Sequence, residues 1–144
     1  MSRVQLALNV TDIDAAVAFY EKVFETPVNK RRPGYANFAI AEPPLKLVLI
    51  ENADSAGTLN HLGVEVESTR QVNNATKRFV EDGFTTFEEQ GVECCYAMQD
   101  KVWITDPDGA GWEFYTVLSD SQKMSSSGED DACCASTEPA AACC

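Results

Sequence analysis

The feature that most constrains the fold of this chain is an internal repeat. Gln5-Leu6-Ala7-Leu8-Asn9-Val10 alternates apolar and polar residues with period two, the pattern of a half-buried strand. His61-Leu62-Gly63-Val64-Glu65-Val66 does the same about half a domain later. A helical pattern follows each strand. From about Asp12 to Phe24 the apolar stripe is Ile13, Val17, Phe19, Tyr20 and Phe24, with Thr11 or Asp12 to cap it. From about Thr69 to Glu81 it is Val72, Ala75, Phe79 and Val80, with Gly83 as the stop. Short strands complete both halves. The first has Val28 to Arg32, Tyr35 to Ile40 and Lys46 to Glu51, broken by Pro33-Gly34 and Pro43-Pro44. The second has Thr85 to Gln90, Glu93 to Met98, Val102 to Thr105 and Trp112 to Leu118, the last two joined by the turn Asp106-Pro107-Asp108-Gly109. The spacing predicts an α+β fold of two βαβββ modules, about 1–55 and 56–118, pairing into a curved, partly open sheet.

Composition changes at Ser119. Residues 119–144 are mostly Ser, Ala, Asp, Glu and Cys with no aromatic residue. Such a segment buries too little apolar surface to offset its ordering entropy, so it reads as a flexible, cysteine-containing tail behind a domain spanning 1–118. With 23 acidic against 11 basic side chains, the net charge of −12 argues against nucleic acid as a partner. No apolar run approaches the ~20 residues that span a bilayer. Met1-Ser2-Arg3-Val4-Gln5-Leu6 enters a strand with no signal-peptide pattern, so a cytoplasmic location is expected. Thiols stay reduced there.

Strand alternation sorts the polar residues onto one face. Leu6, Leu8 and Val10 point toward the first helix, and Gln5, Ala7 and Asn9 away from it. Leu62, Val64 and Val66 repeat the helix-facing set, and His61, Gly63 and Glu65 take the other side. On the last strand Glu113 and Tyr115 share a face. Gln5, His61 and Glu113 therefore project into the hollow of the paired modules, with Ala7 and Gly63 leaving room. An imidazole, a carboxylate and an amide oxygen make a three-donor metal site with open positions, similar to the facial triad of non-haem Fe(II) oxygenases with Gln replacing one His.

All six cysteines come in adjacent doublets: Cys94-Cys95, Cys133-Cys134 and Cys143-Cys144. Neighbouring residues do not easily bridge each other. Paired thiols instead suit a soft centre such as Cd(II), Zn(II), Cu(I) or trivalent arsenic. In a regular strand Cys94 and Cys95 would face opposite ways, so gripping one atom together requires a loop or a bulge; Gly91 lies near enough to permit one.

The repeat, the Asp106-Pro107-Asp108-Gly109 turn and the Trp112-Glu113-Phe114-Tyr115 strand resemble the vicinal oxygen chelate superfamily, which includes glyoxalase I, extradiol dioxygenases and fosfomycin-resistance proteins. The resemblance covers 1–118 and implies Gln5, His61 and Glu113 as metal ligands. A fourth ligand found in some members falls near Lys46, a poor donor. Gly91-Val92-Glu93-Cys94-Cys95-Tyr96 and the tail doublets are similar to the bacterial C–As lyases and cadmium-induced proteins of that superfamily. What this implies is an Fe(II) enzyme that uses dioxygen to cleave trivalent organoarsenicals, such as methylarsenite and aromatic arsenicals, to arsenite. Cys94 and Cys95 would hold the arsenic, and Tyr96 and Tyr115 would line the pocket. Ni, Co, Mn or Zn can compete for such a site. Cys133, Cys134, Cys143 and Cys144 would capture metalloid and raise its local concentration.

Two other functions fit the same residues. One is sequestration of Cd(II) or As(III) by the cysteines without turnover; the other is glyoxalase- or fosfomycin-type chemistry with another divalent ion. The partners expected are an organoarsenical and dioxygen, with no nucleic acid and no membrane, in a monomer or homodimer.

Overall fold

The computed structural model describes residues 2–124. Its elements follow the expected βαβββ order twice. The chain divides into two compact units, Arg3–Leu62 and the residues from Gly63 onward. The first unit holds β1 (Arg3–Val10), α1 (Ile13–Phe24), β2 (Lys30–Arg32), β3 (Tyr35–Ile40), β4 (Leu45–Glu51) and a short 3-10 turn at Ala53–Ser55. Strand β5 (Leu59–Glu65) begins in the first unit and ends in the second. The second unit continues with α2 (Thr69–Glu81), β6 (Phe87–Cys94), β7 (Ala97–Thr105) and β8 (Gly111–Asp120). Among the described residues no helix is long and apolar enough to cross a membrane.

In the first unit the strand order is β2-β3-β4-β1-β5, with β1 parallel to β4 and β3 antiparallel to its neighbours. Helix α1 starts where Asp12 Oδ1 accepts a hydrogen bond from Ala15 N (3.0 Å), and Glu51 at the end of β4 accepts another from Ile13 N (3.0 Å). Ile13 and Val17 pack on Ala36, Phe38, Ile40, Leu47 and Leu49, flanked by Leu6, Leu8 and Val10. The alternation of β1 is therefore as expected. Its other face, Gln5, Ala7 and Asn9, is buried as well.

The second unit orders its strands β5-β8-β7-β6. Helix α2 opens with a reciprocal cap: Ser68 Oγ accepts from Gln71 N (3.4 Å), and Gln71 Oε1 reaches back to accept from Glu67 N (2.7 Å). Val72, Ala75 and Phe79 pack on Val102, with Val66, Ile104 and Phe114 around them.

The structure differs from the sequence expectation between residues 85 and 105. Glu93 to Met98 is not one strand. Strand β6 ends at Cys94, β7 starts at Ala97, and Cys94 pairs with Ala97, so Cys95-Tyr96 is a two-residue reverse turn. Strand β7 also runs through Gln99-Asp100-Lys101, a polar stretch that lies between two of the expected strands. All three residues are buried. Strand β8 extends to Asp120. Beyond it, Ser121–Met124 lies along the reverse turn: Cys95 N donates to Met124 O (2.8 Å), Tyr96 N to Lys123 O (3.1 Å), and Ser121 N to Tyr96 O (2.9 Å). The tail cysteines Cys133, Cys134, Cys143 and Cys144 lie outside the described residues.

Candidate metal and thiol site

Strands β1 and β5 bring Gln5 and His61 together in the first unit. Both are almost fully buried, and their Nε2 atoms are 3.2 Å apart. The other imidazole nitrogen, Nδ1, is 2.7 Å from Asn60 Oδ1. Lys46 on β4 is directly in register with Gln5, so the neighbouring strand offers an amine at the place where a fourth ligand would be sought.

Glu113 belongs to the second unit and is 2% exposed. Its Oε2 lies 2.9 Å from the ammonium of Lys101, which is itself 1% exposed. The two residues sit diagonally across β7 and β8, where Trp103 faces Glu113 and Lys101 faces Tyr115. The same ammonium donates to Cys94 Sγ at 3.2 Å and stands 5.6 Å from the centre of the Trp103 ring and 6.0 Å from that of Tyr115. The Tyr115 hydroxyl donates to Glu65 Oε2 (3.3 Å). Lys101 is the functional candidate that the sequence conceals. The signal that reveals it is period two: Gln99, Lys101 and Trp103 share a face, one strand away from Glu113.

Cys94 is buried at the end of β6, and Cys95 is half-buried in the turn. Cys95 and Tyr96 have φ of 48° and 59°. Positive φ at both central residues is the backbone of a type I′ hairpin turn, normally filled by Asn and Gly. A side chain with a Cβ costs about 1 kcal/mol at each such position. The turn takes Cys95 out of the regular strand that holds Cys94. A bulge between Glu89 and Val92 precedes it, where Gly91 N donates to Asp100 Oδ1 (2.8 Å). Gln99 Nε2 donates to the carbonyl of Cys94 (3.0 Å). Cys94 is disulfide-bonded here, so thiolate chemistry at this sulfur requires reduction.

These residues suit a divalent ion in their donor chemistry. A half-turn of the Gln5 amide would exchange Nε2 for Oε1 beside the imidazole, placing a hard oxygen donor next to a borderline nitrogen donor. Among the described residues there is no cluster of three or more His, Cys, Asp or Glu placed to hold a metal, so a centre built from them needs an amide donor such as Gln5.

The family model described as the glyoxalase/bleomycin resistance protein/dioxygenase superfamily matches residues 3–114. The chain belongs to this superfamily. Among curated relatives, the cadmium-induced protein CadI of Mycobacterium tuberculosis is 59% identical over 88% of this chain and 83% of its own length. The trivalent organoarsenical cleaving enzyme of Thermomonospora curvata is 57% identical over 88% of this chain and 85% of its own. Solved structures share the fold at low identity. An extradiol ring-cleaving dioxygenase from B. fuscum aligns with a TM-score of 0.60 and 20% identity over 82% of this chain and 33% of its own. Methylmalonyl-CoA epimerase from Mycobacterium tuberculosis aligns at 0.59 and 15% identity, over 79% and 86%.

Proposed function

We propose that this protein is an Fe(II)-dependent C–As lyase that uses dioxygen to release arsenite from trivalent organoarsenicals, with methylarsenite and aromatic arsenicals as its substrate class. Gln5, His61 and Glu113 would hold the iron, which when bound would supply the activation of dioxygen. Cys95, a free thiol, and Cys94, once reduced, would hold the arsenic.

The observation that carries this reading is the shared cation. One buried ammonium, that of Lys101, touches both Cys94 Sγ (3.2 Å) and Glu113 Oε2 (2.9 Å). A metalloid on that sulfur is then a near neighbour of anything held by that carboxylate, which is the proximity a C–As cleavage needs. The ammonium also balances the carboxylate of Glu113 in a site with little water to do so. The turn contributes a second sulfur one residue away, so the second As–S bond closes at high effective concentration. Tyr115 and Trp103 wall the ammonium with aromatic faces. A cytoplasmic location, where glutathione keeps thiols reduced, belongs with this reading. A second reading, sequestration of Cd(II) or As(III) without turnover, is favoured by the 59% identity to a relative named as cadmium-induced.

Anaerobic loading with Fe(II) and methylarsenite in the presence of a thiol reductant, followed by oxygen and speciation of the arsenic, separates these readings. Arsenite should form only after oxygen is admitted. His61→Ala and Glu113→Ala should lower turnover about a thousandfold or more, the equivalent of roughly 4 kcal/mol of barrier. Tight methylarsenite binding with no arsenite released under oxygen would leave sequestration as the function.

A further inference from the structure

A chain of hydrogen bonds with one fixed direction ends on His61. It starts at a backbone carbonyl, the one group in it that can only accept. The Thr58 hydroxyl donates to Ser55 O (2.6 Å). Its proton committed there, Thr58 Oγ1 accepts from Asn9 Nδ2 (3.0 Å). That orients the Asn9 amide, whose Oδ1 accepts from Asn60 Nδ2 (3.0 Å). Asn60 is oriented in turn, and its Oδ1 faces His61 Nδ1 at 2.7 Å. A carbonyl oxygen at that distance demands a proton on Nδ1. Gln5 agrees from the other side of the ring, because its Nε2 lies 3.2 Å from His61 Nε2 and can donate only if that nitrogen carries a lone pair. The backbone holds the chain in place: Asn9 N donates to Thr58 O (3.0 Å), and Gly57 N donates to Asn9 O (3.0 Å).

We propose that Thr58, Asn9 and Asn60 are positioning residues that hold His61 in its Nδ1–H tautomer, so that the Nε2 lone pair faces Gln5 before any metal arrives. The identity of the proton-bearing nitrogen is set by the bond the other nitrogen makes. In solution the two neutral tautomers interconvert, and an imidazole that must change tautomer in order to bind gives up affinity. The relay removes that cost. It runs from the buried ring to Thr58, which is exposed, so its far end can be altered without touching the core. Its benefit to metal binding rests on the metal-site reading above; the tautomer itself does not.

The chain contains one histidine, so its imidazole nitrogens give an unambiguous 15N NMR signature. The spectrum of the metal-free protein at about pH 9, above the ordinary imidazole range, should show a single Nδ1–H form. Asn60→Leu should yield a mixture of tautomers and weaken Co(II) binding, measured with the metal alone, by about 10- to 100-fold. Asn60→Asp keeps an acceptor oxygen and should retain the Nδ1–H form. Thr58→Val should shift the tautomer ratio in the same sense as Asn60→Leu, with a smaller loss of Co(II) affinity. An Nε2–H form in the parent protein, or an unchanged spectrum in Asn60→Leu, overturns the relay. Failure of the parent protein to bind Co(II) would instead remove the metal site, while the metal-free spectrum still decides the relay.

Discussion

The first module buries neutral polar groups where the second buries charge. Around His61 the first unit assembles amides and a hydroxyl: Gln5, Asn60, Asn9 and Thr58. Around Glu113 the second unit assembles a lysine, a sulfur and two aromatic rings. The two modules share their element order, so this divergence is not a matter of fold. A neutral network fixes orientation at modest desolvation cost, because the Asn9 and Asn60 amides each find both of their partners. A buried ion pair is a poor source of stability and a strong source of local field. The comparison suggests that the first module sets geometry and the second sets charge.

Three substitutions test that division, beginning with the largest effect. Lys101→Met strands a carboxylate that is 3% exposed, and chemical denaturation should show a loss of about 3–5 kcal/mol. The double variant Lys101→Met/Glu113→Leu should recover most of this loss, because an apolar pair of similar volume needs no desolvation. If the single variant is as stable as the parent, the charge is not paired as described. Asn9→Leu breaks the neutral network at its buried middle and should cost about 1–3 kcal/mol, the penalty of leaving its neighbours unsatisfied. A cost equal to that of Lys101→Met would erase the contrast between modules. Tyr115→Phe removes one long hydrogen bond to Glu65 and keeps the ring beside Lys101. Thermal melts should register about 0.5 kcal/mol.

The regular parts of the fold were legible in the sequence because their signals are local. Asp12 before Ile13, the stripe Ile13–Val17, and the alternation of β1 and β5 each state their element within a few residues. The sequence repeat also brings Gln5 and His61 to matching strand positions, and the structure sets them side by side. Two features resisted. Cys95 and Tyr96 carry positive φ without the Asn or Gly that announces a hairpin turn, so the reversal looked like continuous strand. Their geometry is held from outside, by the backbone of Lys123 and Met124. Gln99-Asp100-Lys101 shows no apolar alternation because its buried residues are polar and partnered: Gln99 with Cys94 across the hairpin and, over longer separations, Asp100 with Thr69 and Lys101 with Glu113. Burial of polar side chains depends on partners far along the chain, which hydropathy in a short window cannot register.

The strap formed by Lys123 and Met124 has a practical meaning for handling this molecule. Because Met124 is bonded to the amide of Cys95, whatever polypeptide continues from there sets out from the cysteine hairpin itself. A histidine-rich segment joined directly after Met124 would therefore bring competing metal donors close to that hairpin.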